Sequence, residues 1–103
     1  MRTLMKVQMD TEAASEAIKN GSMETTLQSV MEQLSPEAAY FTAENGLRTA
    51  YIIFDLREPA QIPVIAEPLF MPLKAKIELS PVMNIDDVRA GVEELRKNLQ
   101  PGS

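Results

Sequence analysis

Apolar and polar residues alternate one by one at the start of the chain, which predicts a strand from Arg2 to Met9. The helical spacing that follows predicts a crossover of two helical pieces, separated at Asn20-Gly21. Asp10 or Thr11 supplies the N-cap of the first piece, and Ser22 is predicted to cap the second. A strand followed by a broken helix therefore occupies the first third of the chain.

The middle of the chain predicts a hairpin, because Asn45-Gly46 separates two strand-like runs between residues 38 and 56. Counting outward from the turn pairs Tyr40 with Tyr51. One face of this ribbon carries Ala38, Tyr40, Thr42, Glu44, Leu47, Thr49, Tyr51 and Ile53. The other carries Ala39, Phe41, Ala43, Arg48, Ala50, Ile52 and Phe54. The second face suits packing against helices, whereas the first suits a lined cavity or a wet interface.

Helical and strand patterns return after the hairpin. An apolar stripe predicts a short helix from about Pro59 to Ala66, which Pro68 ends because proline lacks a backbone donor. Period-two spacing predicts a strand from Lys74 to Leu79. A last helix begins at the N-cap Asn84 and ends before Pro101-Gly102. Its apolar stripe is Val88, Val92, Leu95 and Leu99.

This order predicts an α+β, ferredoxin-like βαββαβ fold with an added C-terminal helix, in a single domain covering residues 1–103. Right-handed crossovers place the first and third strands in the centre of a four-stranded antiparallel sheet, with both crossover helices on one face. The uncovered face carries Leu4, Lys6, Gln8, Tyr40, Thr42, Thr49, Tyr51, Ile53, Lys76 and Glu78. A mixed exposed face of this size indicates a partner.

Composition narrows the function classes. A net charge of -5 argues against a nucleic-acid partner, which requires clustered Lys and Arg. No apolar run approaches the ~18 residues of a membrane span, so no membrane partner is predicted and the cytoplasm is the expected location. The chain has no Cys and no His, which excludes thiolate nucleophiles, a histidine base and an ordinary zinc site. No metal and no cofactor are therefore expected.

The whole pattern, above all the uncovered semi-apolar face, resembles the dimeric α+β barrel superfamily, in which two ferredoxin-like subunits appose their sheets and often enclose pockets. The resemblance covers nearly all of residues 2 to 99, and the character of MRTLMKVQMD and IPVIAEPLF is similar to that of small bacterial proteins of that superfamily. It implies a homodimer with a small-molecule pocket. Characterised branches include cofactor-independent monooxygenases, haem-degrading enzymes and muconolactone isomerases, several of which use a histidine or tryptophan that this chain lacks.

Three residues are candidates for catalysis: Lys6, Tyr51 and Glu67. Lys6 is predicted opposite Glu78 on the neighbouring strand, where the two can form a buried pair in a dimeric barrel. The alternative is a solvated pair at the open ends. Glu67 precedes Pro68 at a predicted helix C-terminus, where a carboxylate opposes the helix dipole and is a candidate general acid or base. The alternative is a solvated turn residue.

The predicted ligand-binding residues are Gln8, Tyr40, Thr49, Tyr51, Lys76 and Glu78. Tyr40 and Tyr51 can donate hydrogen bonds or form a stacking floor for a flat ligand, or they can simply fill the barrel. Two classes of function remain open: an enzyme acting on a small organic molecule, and a non-catalytic ligand-binding or structural dimerisation module. An RNA-recognition module has the same topology but requires aromatic residues on both central strands, and the first strand here has none.

Overall fold

The computed structural model describes residues 1–100. In chain order its elements are β1 (Arg2–Gln8), α1 (Thr11–Lys19), α2 (Ser22–Leu34), β2 (Ala38–Glu44), β3 (Leu47–Asp55), α3 (Gln61–Leu73), β4 (Lys76–Pro81) and α4 (Ile85–Leu99). The strands form one open antiparallel sheet in the order β2-β3-β1-β4, which confirms the predicted central and edge strands. This α+β architecture is compatible with a ferredoxin-like fold.

The hairpin of β2 and β3 has the predicted register. Tyr40 lies opposite Tyr51, and the other predicted pairs are also present. Asn45 and Gly46 have φ values of 54° and 77°, the two positive values that a type I′ turn needs. The turn chemistry of two residues therefore determines which side chains share a face of the ribbon.

The core lies between one face of the sheet and the helices α1, α2 and α3. The sheet contributes Met5, Val7, Ala50, Ile52 and Phe54, and the helices contribute Ala14, Ala17, Val30, Leu34, Ile65, Leu69 and Leu73. Thr3 is also buried on this face, and its hydroxyl donates to the Met1 carbonyl at 2.9 Å. The predicted alternation along β1 is therefore confirmed, and the helices cover a single face as expected.

Helices α1 and α2 begin differently from each other. Asp10, and not Thr11, caps α1, because its carboxylate accepts the N–H of Ala13 at 2.9 Å. The predicted cap at Ser22 is wrong. Gly21 occupies the cap position of α2 with a φ of 81°, and Ser22 is already the first helical residue. A left-handed backbone at this position suits glycine, which has no Cβ to clash with the carbonyl.

Helix α3 is longer than predicted. The expectation of a helix from Pro59 to Ala66 ended by Pro68 is wrong, since α3 continues to Leu73 with Pro68 and Pro72 inside it. One side of α3 is buried in the core: Ile65, Ala66, Leu69 and Leu73. Both internal prolines lie on the exposed side, where water can reach the carbonyls that lose their usual donor. Burial of the apolar stripe thus maintains a helix that local propensity alone would end.

The longer α3 also shifts the start of the last strand. The strand predicted from Lys74 begins instead at Lys76. Lys74 ends α3 in the left-handed conformation, with a φ of 46°. The alternation itself is as predicted, because Ala75, Ile77 and Leu79 all face the core.

The C-terminal helix α4 projects from the body of the molecule. Asn84 caps it as predicted, in a reciprocal capping box with Asp87. Within residues 1–100, α4 buries none of its own residues. The molecule measures 65 × 28 × 19 Å and its Cα radius of gyration is 17.6 Å, whereas a compact chain of this length has about 13 Å. The predicted Pro101-Gly102 stop lies outside the described residues.

Candidate functional site

The sheet face opposite the core is uncovered, and no helix in residues 1–100 packs against it. We call it the open face; it carries Leu4, Lys6, Gln8, Tyr40, Thr42, Glu44, Thr49, Tyr51, Ile53, Lys76 and Glu78. Leu4 and Ile53 are half-buried near its centre, whereas Tyr40 on the edge strand β2 is 69% exposed. The face is therefore apolar in the middle and accessible along one edge.

Four side chains of the open face converge into a polar cluster, formed by Lys6, Gln8, Glu44 and Tyr51. The Lys6 Nζ lies 2.6 Å from Glu44 Oε2, and the Gln8 Nε2 donates to the same oxygen at 3.2 Å. The hydroxyl of Tyr51 donates to the other carboxylate oxygen, Oε1. The Lys6 Nζ also lies 5.9 Å from the centre of the Tyr51 ring, a cation–π contact. Glu44 therefore accepts from three different side chains.

Sheet register brings this cluster together. Lys6 lies directly opposite Tyr51 where the two central strands pair, and Gln8 follows two residues later on the same face. Glu44 is the last residue of β2 and lies opposite Leu47, next to the turn. Its carboxylate extends across β3 to the ammonium of Lys6. The cluster thus joins three strands through a single acceptor.

The electrostatics of the cluster fix its protonation state near neutral pH. The hydrogen bond with Glu44 raises the pKa of the Lys6 ammonium, and the same bond, followed by that from Tyr51, lowers the pKa of the Glu44 carboxyl. The hydrogen bond to Glu44 also raises the pKa of Tyr51. Lys6 is therefore charged, Glu44 ionised and Tyr51 neutral. An efficient general acid or base has a pKa near the working pH, and these shifts move all three groups away from it.

The ion pair of Lys6 differs from the predicted one. Glu78 lies directly opposite Lys6 on β4, as predicted, but it is exposed, and Lys6 forms its ion pair with Glu44. Glu78 acts on Lys6 as a weaker, more distant charge. The half-buried Glu44 is the stronger partner because it is less screened by water and is oriented by Tyr51 and Gln8.

Glu67 lies away from the open face. The prediction placed it near a helix C-terminus, and this is wrong because α3 continues for six residues beyond it, to Leu73. Its side chain is exposed, and α3 packs on the core side of the sheet, opposite the polar cluster. Glu67 therefore does not join Lys6 and Tyr51 in one site.

The other predicted ligand-binding residues divide into two groups. Tyr40 lies opposite Tyr51 in the strand register, so the two residues are neighbours on the open face. Thr49, by contrast, is 2% exposed, and its hydroxyl donates to the Leu47 carbonyl at 3.0 Å. Thr49 is therefore a structural residue of β3, whereas Tyr40 presents an accessible ring beside the half-buried Tyr51.

Lys76 lies at one end of the open face. It pairs in register with Gln8, and both line a small cavity of about 130 Å³ together with Leu47 and Lys74. Its volume is below the ~300–1,000 Å³ that is typical of a small-molecule pocket. The monomer therefore offers a shallow surface at the polar cluster, with one small recess beside it.

Glu44 is the residue that sequence reasoning did not select for the site. The Asn45-Gly46 register had already placed it on the same face as Tyr51. The sequence contained one signal for this role: Glu44 is an acidic residue on the face where the central strands carry Lys6 and Tyr51. The sequence did not show that the carboxylate reaches across a whole strand, because this depends on side-chain conformation.

Comparisons with known proteins give no family assignment: a scan against protein-family models finds no match, and a search of curated proteins finds no significantly similar sequence. None of the four helices in residues 1–100 has both the length and the apolar composition needed to cross a membrane.

Proposed function

We propose that this chain is a homodimeric module that binds a small organic molecule between the open faces of two copies, as in the dimeric α+β barrel superfamily that its sequence resembles. The observation that carries the proposal is the polar cluster of Lys6, Gln8, Glu44 and Tyr51 on an uncovered sheet face. A cluster that orders four side chains on a surface that is otherwise half apolar is suited to contact another molecule.

The character of the open face supports the proposed dimer. Strands about 4.8 Å apart and seven residues long give a four-stranded face of roughly 440 Å² in projection. Leu4 and Ile53 lie at its centre and remain half-buried without any covering element. The same face of a second copy can cover these residues, because a two-fold axis packs two identical mixed surfaces against each other.

The chemistry of the face indicates the class of ligand. The exposed ring of Tyr40, which lies opposite Tyr51 in the strand register, offers a surface on which a planar molecule can stack. The ammonium of Lys6 is already neutralised by Glu44 at 2.6 Å, so an ionic ligand would have to compete with that pair. The proposed ligand is therefore a flat, uncharged organic molecule with hydrogen-bonding groups at its rim.

Binding is favoured over catalysis because Lys6, Gln8 and Tyr51 all pair with Glu44, so the polar groups of the cluster satisfy one another. All three ionisable groups of the cluster are shifted away from neutrality, which weakens them as proton donors or acceptors in a reaction. The same shifts stabilise a fixed arrangement of charges and donors. A fixed arrangement recognises a ligand without the reorganisation that binding otherwise costs.

The dimer is tested by a pair of Glu substitutions. Ile53→Glu introduces a charge into the open face, and Val64→Glu introduces the same charge on the exposed side of α3, where Val64 is 57% exposed. Light scattering after size exclusion should show a dimer for the parent and for Val64→Glu and a monomer for Ile53→Glu. A monomeric parent, or a dimer that Ile53→Glu leaves intact, overturns the proposed interface.

Ligand binding is tested by native mass spectrometry of the purified protein under gentle and then denaturing conditions. The expected result is a dimer with additional small-molecule mass that is lost on denaturation and is absent from Tyr40→Ala. The small molecule identified in this way should also raise the melting temperature of the parent. A dimer without additional mass overturns the binding module in favour of a purely structural dimer.

The enzyme alternative is distinguished with the same molecule. Incubation of the parent with the identified compound should return it unchanged. If it is converted, and conversion is lost in Lys6→Met but retained in the surface control Lys19→Met, the protein is an enzyme and the binding assignment is wrong. Lys19 lies in the last turn of α1, away from the open face.

A further inference from the structure

The apolar stripe of α4 has the spacing of a coiled-coil seam. Its members recur at intervals of three, four, three and four residues: Ile85, Val88, Val92, Leu95 and Leu99. This spacing assigns Ile85, Val92 and Leu99 to heptad position a, and Val88 and Leu95 to position d. All five side chains are between 38% and 72% exposed. A narrow a/d stripe of this kind packs against another helix, whereas a stripe that packs on a sheet is wider.

The residue types along the seam favour a parallel pair of helices. β-Branched residues occupy two of the three a positions, at Ile85 and Val92, and Leu95 occupies a d position, which is the preference of parallel two-stranded coiled coils. The flanking e positions are Arg89 and Arg96. An antiparallel pair would bring these two arginines together across the interface, where like charges repel.

In a parallel pair the flanking charges are compatible. The g positions that would face Arg89 and Arg96 lie in the preceding heptad of the partner helix and are uncharged, since they are Asn84 and Gly91. No repulsive pair therefore flanks the seam when two copies of α4 run in the same direction.

The base of α4 is fixed to the sheet, so the helix is presented in a defined position. The Val82 N–H donates to the Arg2 carbonyl at 3.1 Å, which continues the pairing of β4 with β1. The Arg2 guanidinium also lies 3.6 Å from Asp87 in the first turn of α4. If two open faces pack with a two-fold axis along the strands, the bases of both α4 helices lie at the same end of the dimer.

From these observations we infer that α4 forms a parallel two-stranded coiled coil with α4 of a second copy of this chain. The inference rests on the proposed dimer for its strength. A 15-residue helix about 22 Å long and about 10 Å wide offers a footprint of roughly 220 Å², and the open face offers roughly 440 Å², so only the two together approach the ~800 Å² per partner of a stable interface. The α4 seam therefore extends the open-face interface of the same two copies.

Single-cysteine variants test this pairing directly, because the chain has no native cysteine. Ile85→Cys and Leu99→Cys lie at opposite ends of the seam, and Ala90→Cys on the outer side of α4 is the matched control. Under mild oxidation a parallel pair should link Ile85→Cys to itself and Leu99→Cys to itself, each at least about tenfold faster than the control. Helix content measured by circular dichroism confirms that each variant retains α4.

Two outcomes overturn the parallel pair. Linkage at Ile85→Cys and Leu99→Cys no faster than at Ala90→Cys shows that the seams do not meet. Linkage only in a mixture of Ile85→Cys with Leu99→Cys, between the two different chains, shows an antiparallel pair. A failure of the open-face dimer gives a different result. If Ile53→Glu leaves the protein dimeric while Ile85→Cys still links quickly, the α4 pairing is retained and the open-face interface is rejected.

Discussion

Lys6 and Glu44 form an ion pair across an intervening strand: the Lys6 Nζ lies 2.6 Å from Glu44 Oε2, although β3 separates the two strands that carry them. The lysine side chain reaches this position over the ring of Tyr51. The pair therefore ties the edge strand β2 to the central strand β1 on the face that no helix covers. Its contribution to stability should depend on pH at both extremes.

The acid limb of this dependence comes from Glu44. Its pKa is lower in the folded chain than in the unfolded chain, so its stabilisation is present above the usual glutamate pKa of about 4.3 and is lost as the pH falls through the folded value. Lys6 and Tyr51 have raised pKa values, so their stabilisation is present below about pH 10 and is lost as the pH rises through their folded values. Urea unfolding between pH 3 and 11 should show both losses.

Glu44→Gln should make both limbs shallower, because one substitution removes the cause of all three shifts. Asp55 provides the control, since its carboxylate lies 2.6 Å from the N-terminal ammonium, which lowers the Asp55 pKa. Asp55→Asn should flatten only the acid limb and leave the loss above pH 10 unchanged. An alkaline limb in Glu44→Gln as steep as in the parent would show that the cluster does not couple these groups.

Two phenylalanines on the same side of the hairpin should contribute very differently to stability. Phe54 on the central strand β3 is 2% exposed, and Phe41 on the edge strand β2 is 54% exposed. Phe54→Ala should lower the free energy of unfolding by about 3–5 kcal/mol, because it removes buried surface and leaves a cavity. Phe41→Ala should cost less than about 1 kcal/mol. Similar losses in urea unfolding would contradict the position of the core.

The type I′ turn predicts a specific cost for changing its glycine. A Cβ at Gly46 would meet no atom within 4 Å, so the cost of substitution arises from the backbone, with its φ of 77°. Gly46→Ala should lower the free energy of unfolding by about 1–2 kcal/mol. Gly46→Asn should cost clearly less, since asparagine tolerates this conformation. Equal losses for the two variants in urea unfolding would be inconsistent with the turn geometry.

Much of the fold could be predicted because local signals agreed with one another. Asn45-Gly46 fixes the hairpin register, and alternation along β1 identifies the buried face through residues such as Met5 and Val7. The order of the elements and the handedness of crossovers then determine the strand order. Each of these inferences needs only backbone preferences and the polarity of neighbouring residues.

Apart from the cap of α2, where Gly21 replaces Ser22, the incorrect predictions concern interactions between residues distant in sequence. Pro68 predicted the end of a helix, yet tertiary burial of residues on both sides of it, including Ala66 and Leu69, maintains α3. The position of Glu67 was wrong for the same reason. Glu44 was missed because its partner is chosen by side-chain reach over β3 and by partial burial. Neither property can be read from the order of residues.

The prolines of α3 yield a prediction that separates local propensity from burial. Pro68 lies in the helix interior and removes a donor that Val64 would otherwise receive, whereas Pro63 lies in the first turn, where the N–H groups have no helical partner. Pro68→Ala should restore one hydrogen bond and relieve a cost of about 3 kcal/mol, offset by about 1 kcal/mol because the unfolded chain becomes more flexible. The expected net gain in the free energy of unfolding, measured with urea, is about 2 kcal/mol.

Pro63→Ala is the control and should instead destabilise the protein by up to about 1 kcal/mol, since it gains no hydrogen bond and only makes the unfolded chain more flexible. If both variants changed stability in the same direction, Pro68 would not be acting through the missing donor.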